Sequence, residues 1–241
     1  MKNFRLPLIA IAGILLFTAC NNKADFSKAR VKKTSSVRGS TEYTYGADGN
    51  ITTTKSSDGT FISYKYSGST IAENMADSSR NLFINSTIYL NSSGLADSTV
   101  SNYQDEKYLK TYTHNAGGFI TESRDYAMGQ MQDLSSSEVK DGNQTTATIS
   151  DSASKPMFKV FFEYFQDKPN SVNYENYGMK FLGADSKNLI KKMVQLLPTG
   201  DTLRVNSFSY HYDDKGRVTS KITFDMKRGI VADSTAYSYT E

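Results

Sequence analysis

Residue types that commonly carry catalysis are scarce in this chain. It contains two histidines, His114 and His211, and one cysteine, Cys20. In an alignment of internal repeats, His211 falls opposite Thr113 and His114 opposite Tyr212, so we expect the two imidazoles on opposite strand faces, unlike a pair of metal ligands. Serines are numerous, but none lies in a Gly-x-Ser-x-Gly turn. The sequence therefore predicts no catalytic residue, no metal site and no cofactor.

Acidic residues are the other possible source of chemistry. Asp105-Glu106 and Asp213-Asp214 could ligate calcium, and a pair of loop carboxylates could serve a glycoside hydrolase. Neither acidic pair matches an EF-hand loop, and loop acids are too widespread for spacing to select a catalytic pair. We expect the acidic pairs to cap turns, and we expect no enzyme. An envelope hydrolase that uses loop carboxylates is the alternative.

Cys20 follows a segment that is typical of a bacterial signal peptide. Lys2 and Arg5 precede an apolar run at residues 6–17, and small residues stand directly before the cysteine. The run is shorter than the roughly 18–20 residues that span a bilayer as a helix. The sequence from Leu16 to Cys20 resembles a lipobox. We predict cleavage after residue 19 and lipidation of Cys20, which leaves no thiol for a disulfide or for catalysis.

The predicted lipidation indicates the domain organisation and the cellular location of the protein. Residues 1–19 form the signal peptide, residues 20–40 a lipidated polar tether, and residues 41–241 a single domain. The membrane is therefore a partner through the lipid anchor. Because Asn21 rather than Asp follows Cys20, we expect the outer membrane, with the side and leaflet left open.

The net charge of the chain after signal-peptide removal argues against nucleic acid as a partner. Removal of Lys2 and Arg5 with the signal peptide leaves 26 basic residues against 25 acidic ones. This near balance gives no reason to expect nucleic acid. A protein or glycan ligand remains possible, and the sequence leaves both its binding residues and the oligomeric state unknown.

A loose repeat of about 24 residues runs through the domain. Residues 210–219 (YHYDDKGRVT) align without a gap with 43–52 (YTYGADGNIT) and 112–121 (YTHNAGGFIT). Further copies begin near residues 64, 88, 162, 182 and 237, and another fits near 139. The aromatic-x-aromatic pair places two large side chains on one strand face, and the Asx and Gly positions suit a tight turn.

Each unit therefore predicts a strand, a turn and a strand, and consecutive units predict an antiparallel meander. The fold class is all-β, with about 14–16 strands in a large curved sheet or barrel-like domain. The segment from Asn188 to Leu197 fits either a short helix or a strand, and the repeat phase favours the strand. The 16 tyrosines and 13 phenylalanines are expected to be core or cross-strand residues, with a platform for sugars or peptides as the alternative.

Two family resemblances follow from these motifs. The pattern at 210–219 resembles the tyrosine–aspartate (YD, Rhs-type) repeat of β-hairpin shells. The lipobox and hairpins, with Glu163-Tyr164, Asp167-Lys168-Pro169-Asn170, Tyr177-Gly178-Met179 and Ser186-Lys187-Asn188-Leu189-Ile190, are similar to lipoproteins that carry the domain of unknown function 4595, described as porin-like. This resemblance implies a large antiparallel sheet or barrel and transfers no catalytic residue.

These observations support three hypotheses about function. The first is a lipid-anchored, non-enzymatic envelope protein that binds a partner or ligand. The second is the hydrolase. The third is an integral outer-membrane barrel, which would require an apolar lipid-facing side on strands of about 9–11 residues. Polar stretches such as residues 52–56 and 122–125 argue for water on the outside.

Overall fold

The computed structural model describes residue 26, residues 28–79 and residues 81–240, and within them sixteen antiparallel strands form a closed barrel. The strands are β1 (Val31–Ser36), β2 (Gly39–Tyr45), β3 (Ile51–Ser56), β4 (Phe61–Ser67), β5 (Thr70–Ala76), β6 (Leu82–Leu90), β7 (Ala96–Tyr103), β8 (Glu106–His114), β9 (Ile120–Ala127), β10 (Gln130–Lys140), β11 (Asn143–Ser150), β12 (Pro156–Pro169), β13 (Asn188–Leu196), β14 (Thr202–Tyr212), β15 (Val218–Asp225) and β16 (Ile230–Tyr239). Each strand pairs with its neighbours in sequence, and β16 closes on β1. The predicted all-β meander is confirmed.

Helix is almost absent from the part of the chain that the structure describes. A single 3₁₀ turn occurs there, at Lys180–Leu182. None of the described helical segments is long and apolar enough to cross a membrane. The segment beginning at Asn188 is a strand, as the repeat phase predicts.

The sequence repeat corresponds to one β-hairpin. Its aromatic-x-aromatic pair lies at the end of an even-numbered strand, as with Tyr43 and Tyr45 on β2 and Tyr64 and Tyr66 on β4. These four rings pack around a buried cluster inside the barrel. The lumen is therefore the face onto which the repeat directs its aromatic side chains.

Asx residues and glycines close the hairpins at the turns. Asn115 Oδ1 accepts the backbone N–H groups of Gly117 (2.9 Å) and Phe119 (3.1 Å), while Gly118 adopts φ +79°. Asp213 Oδ1 does the same for Lys215 (3.0 Å) and Arg217 (2.8 Å). The capping role predicted for Asp213 is confirmed.

The threonine that follows the turn has a separate role. Thr52 Oγ1 donates to the carbonyl of Thr44 at 3.1 Å, and Thr121 Oγ1 donates to that of Thr113 at 3.3 Å. In each hairpin the strand register shifts at this point by a β-bulge. The repeated threonine therefore satisfies a carbonyl that the bulge removes from the regular ladder.

The repeat copy assigned near residue 182 is wrong. Leu182 belongs to the 3₁₀ turn inside an eighteen-residue connection, residues 170–187, between β12 and β13. The true hairpin partner of β12 is β13, which begins at Asn188. Apolar and aromatic residues in the connection imitate the repeat, but they pack into the lumen instead of forming a strand.

The barrel also begins earlier than the sequence predicts. Residues 31–36 form β1 and Gly39 begins β2, so the predicted boundary between residues 40 and 41 falls inside β2. Thr34 and Ser36 face a polar lumen, opposite Thr41 and Gly39. A strand with water on one side and a hydroxyl-lined lumen on the other needs no apolar face, which is why its sequence resembles a tether.

Ile71 tests the packing of the lumen. Its side chain is fully buried and contacts the cluster formed with Ile51, Ile88 and Phe181. We expect Ile71→Ala to lower the free energy of unfolding by roughly 2–5 kcal/mol, because a cavity remains. Val231→Ala on the outer wall, where Val231 is 58% exposed, should cost about 0.5 kcal/mol or less. Equal losses in urea denaturation would contradict a packed cluster around Ile71.

Candidate functional site

The connection between β12 and β13 closes one mouth of the barrel, and we call residues 170–187 the plug. Phe181 of the plug is 7% exposed and packs against Ile51, Ile71, Ile88 and Ala96 on the inner wall. Its ring also contacts that of Tyr66 edge-on at 6.5 Å. A hydrophobic core therefore forms at this end of the lumen only where the plug supplies the second surface.

Hydrogen bonds fasten the plug to strands and turns around the whole mouth. Three are between backbone groups, to β3 and to two hairpin turns: Ile51 N–H to Gly178 O (3.1 Å), Ala184 N–H to Gly118 O (2.8 Å) and Lys187 N–H to Gly142 O (2.9 Å). The fourth joins β15 to a side chain of the plug, from Val218 N–H to Ser171 Oγ (2.9 Å). Because these partners lie on opposite sides of the barrel, the plug spans its mouth.

The plug also holds the start of the described chain. Asn176, which is 1% exposed, donates its amide hydrogens to the carbonyls of Phe26 (2.7 Å) and Ala29 (2.9 Å). The backbone N–H of Val31 donates to Asn176 O at 2.9 Å. The chain therefore enters the barrel at the plugged mouth. Cys20, the predicted lipidation site, and the predicted signal peptide lie outside the described residues.

A cavity of about 290 Å³ lies between the plug and the inner wall of β8–β11, and we call it the plug cavity. Its polar lining includes the hydroxyls of Ser123, Ser135 and Ser137. The rings of Tyr112 and Tyr174 border it as well. This combination of hydroxyls and aromatic faces is suited to a small polar ligand.

Three charged side chains border the plug cavity, and two of them, Lys110 and Asp185, differ in whether they have a partner of opposite charge. Lys110 forms an ion pair with Asp125 at 3.0 Å. Asp185 accepts the backbone N–H of Ser186 at 2.6 Å and takes part in no ion pair within the described residues. Burial raises the pKa of Asp185, and the bond from Ser186 opposes this only partly. The cavity thus contains one acid without a counter-charge.

The other acidic candidates lie in different surroundings. Glu122, the other acid that borders the plug cavity, pairs with Arg124 at 2.9 Å. Asp105 lies in the exposed turn after β7, and Glu106 accepts a hydrogen bond from Tyr108. Among the described residues, no three His, Cys, Asp or Glu side chains converge as metal ligands.

The two histidines lie on opposite faces, as predicted. His114 faces inward beside Gly183 of the plug, and its Nε2 is buried without a hydrogen-bond partner. His211 is exposed on the outer wall, next to the inward-facing Tyr210.

Sequence reasoning missed the plug and Asp185. A signal was present, because the interval from the repeat copy at 162 to that at 210 is twice the usual period. Filling this interval with a false copy near 182 concealed the insertion. The repeated tyrosines Tyr43, Tyr45, Tyr64 and Tyr66 proved to pack against the plug, which favours their interpretation as core residues.

Gly178 tests whether the plug depends on close backbone contact. At φ +67°, a Cβ on Gly178 would lie 2.6 Å from Ile51 N and 2.8 Å from Gly49 O. We expect Gly178→Ala to destabilise the protein by roughly 3 kcal/mol or more in urea denaturation. Gly68 has φ +57° with no atom within 4 Å of its Cβ position, so Gly68→Ala should cost only about 1 kcal/mol. Similar losses would mean that the plug does not seal the mouth.

Asp185 predicts a pH-dependent stability. Because its pKa is raised in the folded state, its favourable contribution is present below the ordinary Asp pKa and is lost as the pH rises through the folded-state value. We expect Asp185→Asn to raise the midpoint of thermal unfolding at pH 7.5, and the gain to shrink towards pH 4.

The matched control is Asp58→Asn. Hydrogen bonds from Thr60 lower the pKa of Asp58, so this substitution should bring no gain at pH 7.5. A loss of stability in both variants at pH 7.5 would contradict the assignment of Asp185 as an unpaired, half-buried acid.

Comparison with solved structures finds the same architecture in two porin-like proteins. One, from Bacteroides uniformis, is 14% identical with a TM-score of 0.59, over 87% of this chain and 96% of that chain. The other, from Bacteroides vulgatus, is 13% identical with a TM-score of 0.61, over 88% of this chain and 99% of that chain. At these identities the likeness establishes the fold.

No protein-family model matches the chain, and no curated protein sequence matches it. Membership of the lipoprotein family that carries the domain of unknown function 4595 therefore remains a prediction. The barrel that this resemblance implies is present in the structure. The fold that this chain shares with the two solved proteins is a closed, sixteen-stranded, antiparallel barrel.

Proposed function

We propose that this is a lipid-anchored, non-enzymatic protein of the bacterial outer membrane whose barrel lies in water and binds a ligand or partner. The observation that carries the proposal is the polar outer wall of the barrel, whose plugged mouth receives the N-terminal segment. The outer wall, the strand lengths and the plugged lumen each contribute a separate argument.

The outer wall carries charged side chains in the middle of its strands. Ion pairs join Lys33 to Glu42 (3.0 Å) across β1 and β2, and Lys192 to Glu163 (3.5 Å) across β12 and β13. Lys65 on β4 is exposed. A lysine or arginine on the lipid face of a membrane barrel costs roughly 2–4 kcal/mol at the midplane. This wall is therefore suited to water.

Strand length supports the same environment. β1 to β5 contain six or seven residues each, whereas a transmembrane strand needs about 9–11. A third of the circumference is thus too short to cross a hydrocarbon layer.

The lumen is wide enough to hold water and a ligand. A barrel of about sixteen strands is too wide for side chains to fill and leaves an aqueous interior. Lys110 and Asp125 on the inner wall keep 40% and 42% of their side-chain surface exposed. Because the plug seals the mouth that bears the N-terminal segment, a ligand would enter from the end that points away from the membrane.

An integral outer-membrane barrel is the second candidate, and one observation favours it. Phe161, Leu203, Phe224 and Val231 expose 37%, 48%, 38% and 58% of their surface on the outer wall of β12 to β16. Phe83 and Tyr89 on β6 add exposed aromatic surface elsewhere. Charged residues on β1, β2 and β4 interrupt this surface, whereas a membrane-spanning barrel has an apolar band around its circumference. We therefore prefer the water-soluble barrel.

Lipidation and solubility provide the test. A Cys20→Ser chain without residues 1–19 should remain monodisperse in buffer without detergent, because the polar wall needs none. The full chain produced in bacteria should incorporate a clickable palmitate analogue and fractionate with outer membranes, whereas Cys20→Ser in the full chain should not incorporate it. Aggregation without detergent would favour the integral barrel, and unlabelled wild-type protein would refute the anchor.

A further inference from the structure

We propose that the plug cavity binds a small ligand that carries an ammonium group and several hydroxyls, the chemistry of a free amino sugar. The inference rests on the proposed function, since it names the ligand class that the barrel would take. Asp185 would hold the ammonium group, and the serine and tyrosine side chains would hold the rest of the molecule.

The size of the cavity limits the ligand to one small molecule. Its volume of about 290 Å³ lies at the lower end of ligand sites, which range over roughly 300–1,000 Å³. The plug forms one wall and the inner faces of β8–β11 form the other. A ligand of monosaccharide size would be enclosed on both sides.

The charge distribution favours a cation. Asp185 borders the cavity, and within the described part of the chain its carboxylate accepts one hydrogen bond, from the backbone N–H of Ser186. Lys110, the one basic residue in the lining, is paired with Asp125 at 3.0 Å. A half-buried carboxylate without a counter-ion is costly, and the ammonium group of a ligand would supply the missing positive charge and further hydrogen bonds.

The other titratable groups near Asp185 leave it as the unpaired charge. Burial raises the pKa values of Tyr164 and Tyr174, so both phenols are neutral at physiological pH. His114 lies beside the neighbouring Gly183 with its Nε2 unbonded. Glu122 is paired with Arg124.

The hydroxyls are placed to bind a polyhydroxylated body. Ser123 on β9 and Ser135 on β10 are directly opposite each other in the register, and both line the cavity. Ser137 donates to the carbonyl of Ile120 at 2.8 Å, which leaves its oxygen lone pairs free to accept. The rings of Tyr112 and Tyr174 offer faces against which a sugar ring or an ammonium group packs.

Calorimetry with the mature full chain in mild detergent would test the ammonium preference. D-glucosamine and D-glucose serve as probes, since they differ at one position, an ammonium group against a hydroxyl. At pH 7.5 we expect saturable binding of glucosamine, at least tenfold tighter than binding of glucose. Asp185→Asn should reduce glucosamine to the affinity of glucose while keeping the wild-type near-ultraviolet circular dichroism.

Glu73→Gln is the matched control. Glu73 also faces the lumen and its pKa is also raised by burial, but it lies outside the plug cavity. This variant should bind glucosamine like the wild type. Equal loss in both variants would indicate a general effect of lumen charge and overturn the assignment to Asp185.

Different experiments test the ammonium site and the proposed function, so each can fail independently of the other. If the wild type binds glucosamine no better than glucose, or binds neither, the ammonium site is refuted. The solubility and palmitate-labelling experiments then still decide independently whether the protein is a water-soluble, lipid-anchored barrel.

Discussion

The pairing of β16 with β1 closes the sheet, and every strand thereby gains a hydrogen-bonded neighbour on both sides. An open sheet of this length would expose two unpaired edges, which invite association with other chains. Closure needs a continuous antiparallel ladder, and the hairpin repeat provides it with Asx-capped turns and glycines at positive φ. The bulges stabilised by Thr52 and Thr121 bend the ladder where the hairpins turn.

Closure with sixteen strands creates a second requirement, because the interior is too wide for side chains alone to fill. The interior is occupied differently at the plugged mouth and in the rest of the lumen. At one mouth the plug inserts Phe181 among isoleucines and tyrosines and forms a core. Elsewhere the lumen is lined by polar groups such as Ser86 and Ser101, whose hydroxyls bond each other at 2.8 Å. Hydrophobic stability is therefore concentrated at the plugged end.

The plug connects the stability of the barrel, the start of the described chain and the candidate site. Asn176 joins it to the segment that leads back towards Cys20, Gly178 brings its backbone against β3, and Asp185 borders the cavity. A ligand in the plug cavity would touch the same segment that completes the core. Binding there would consequently stabilise the closed mouth, since a ligand that binds only the folded state adds to its stability.

The sequence by itself determined the all-β class, the hairpin period, the capping role of Asp213 and the opposite orientation of His114 and His211, because turn chemistry and strand alternation are local. It failed at β1 and at residues 170–187. There the environment, a polar lumen in one case and a barrel mouth in the other, exists only once the sheet has closed. Closure, the plug and the isolation of Asp185 were decided by the tertiary structure alone, since each depends on strands far apart in sequence meeting around one lumen.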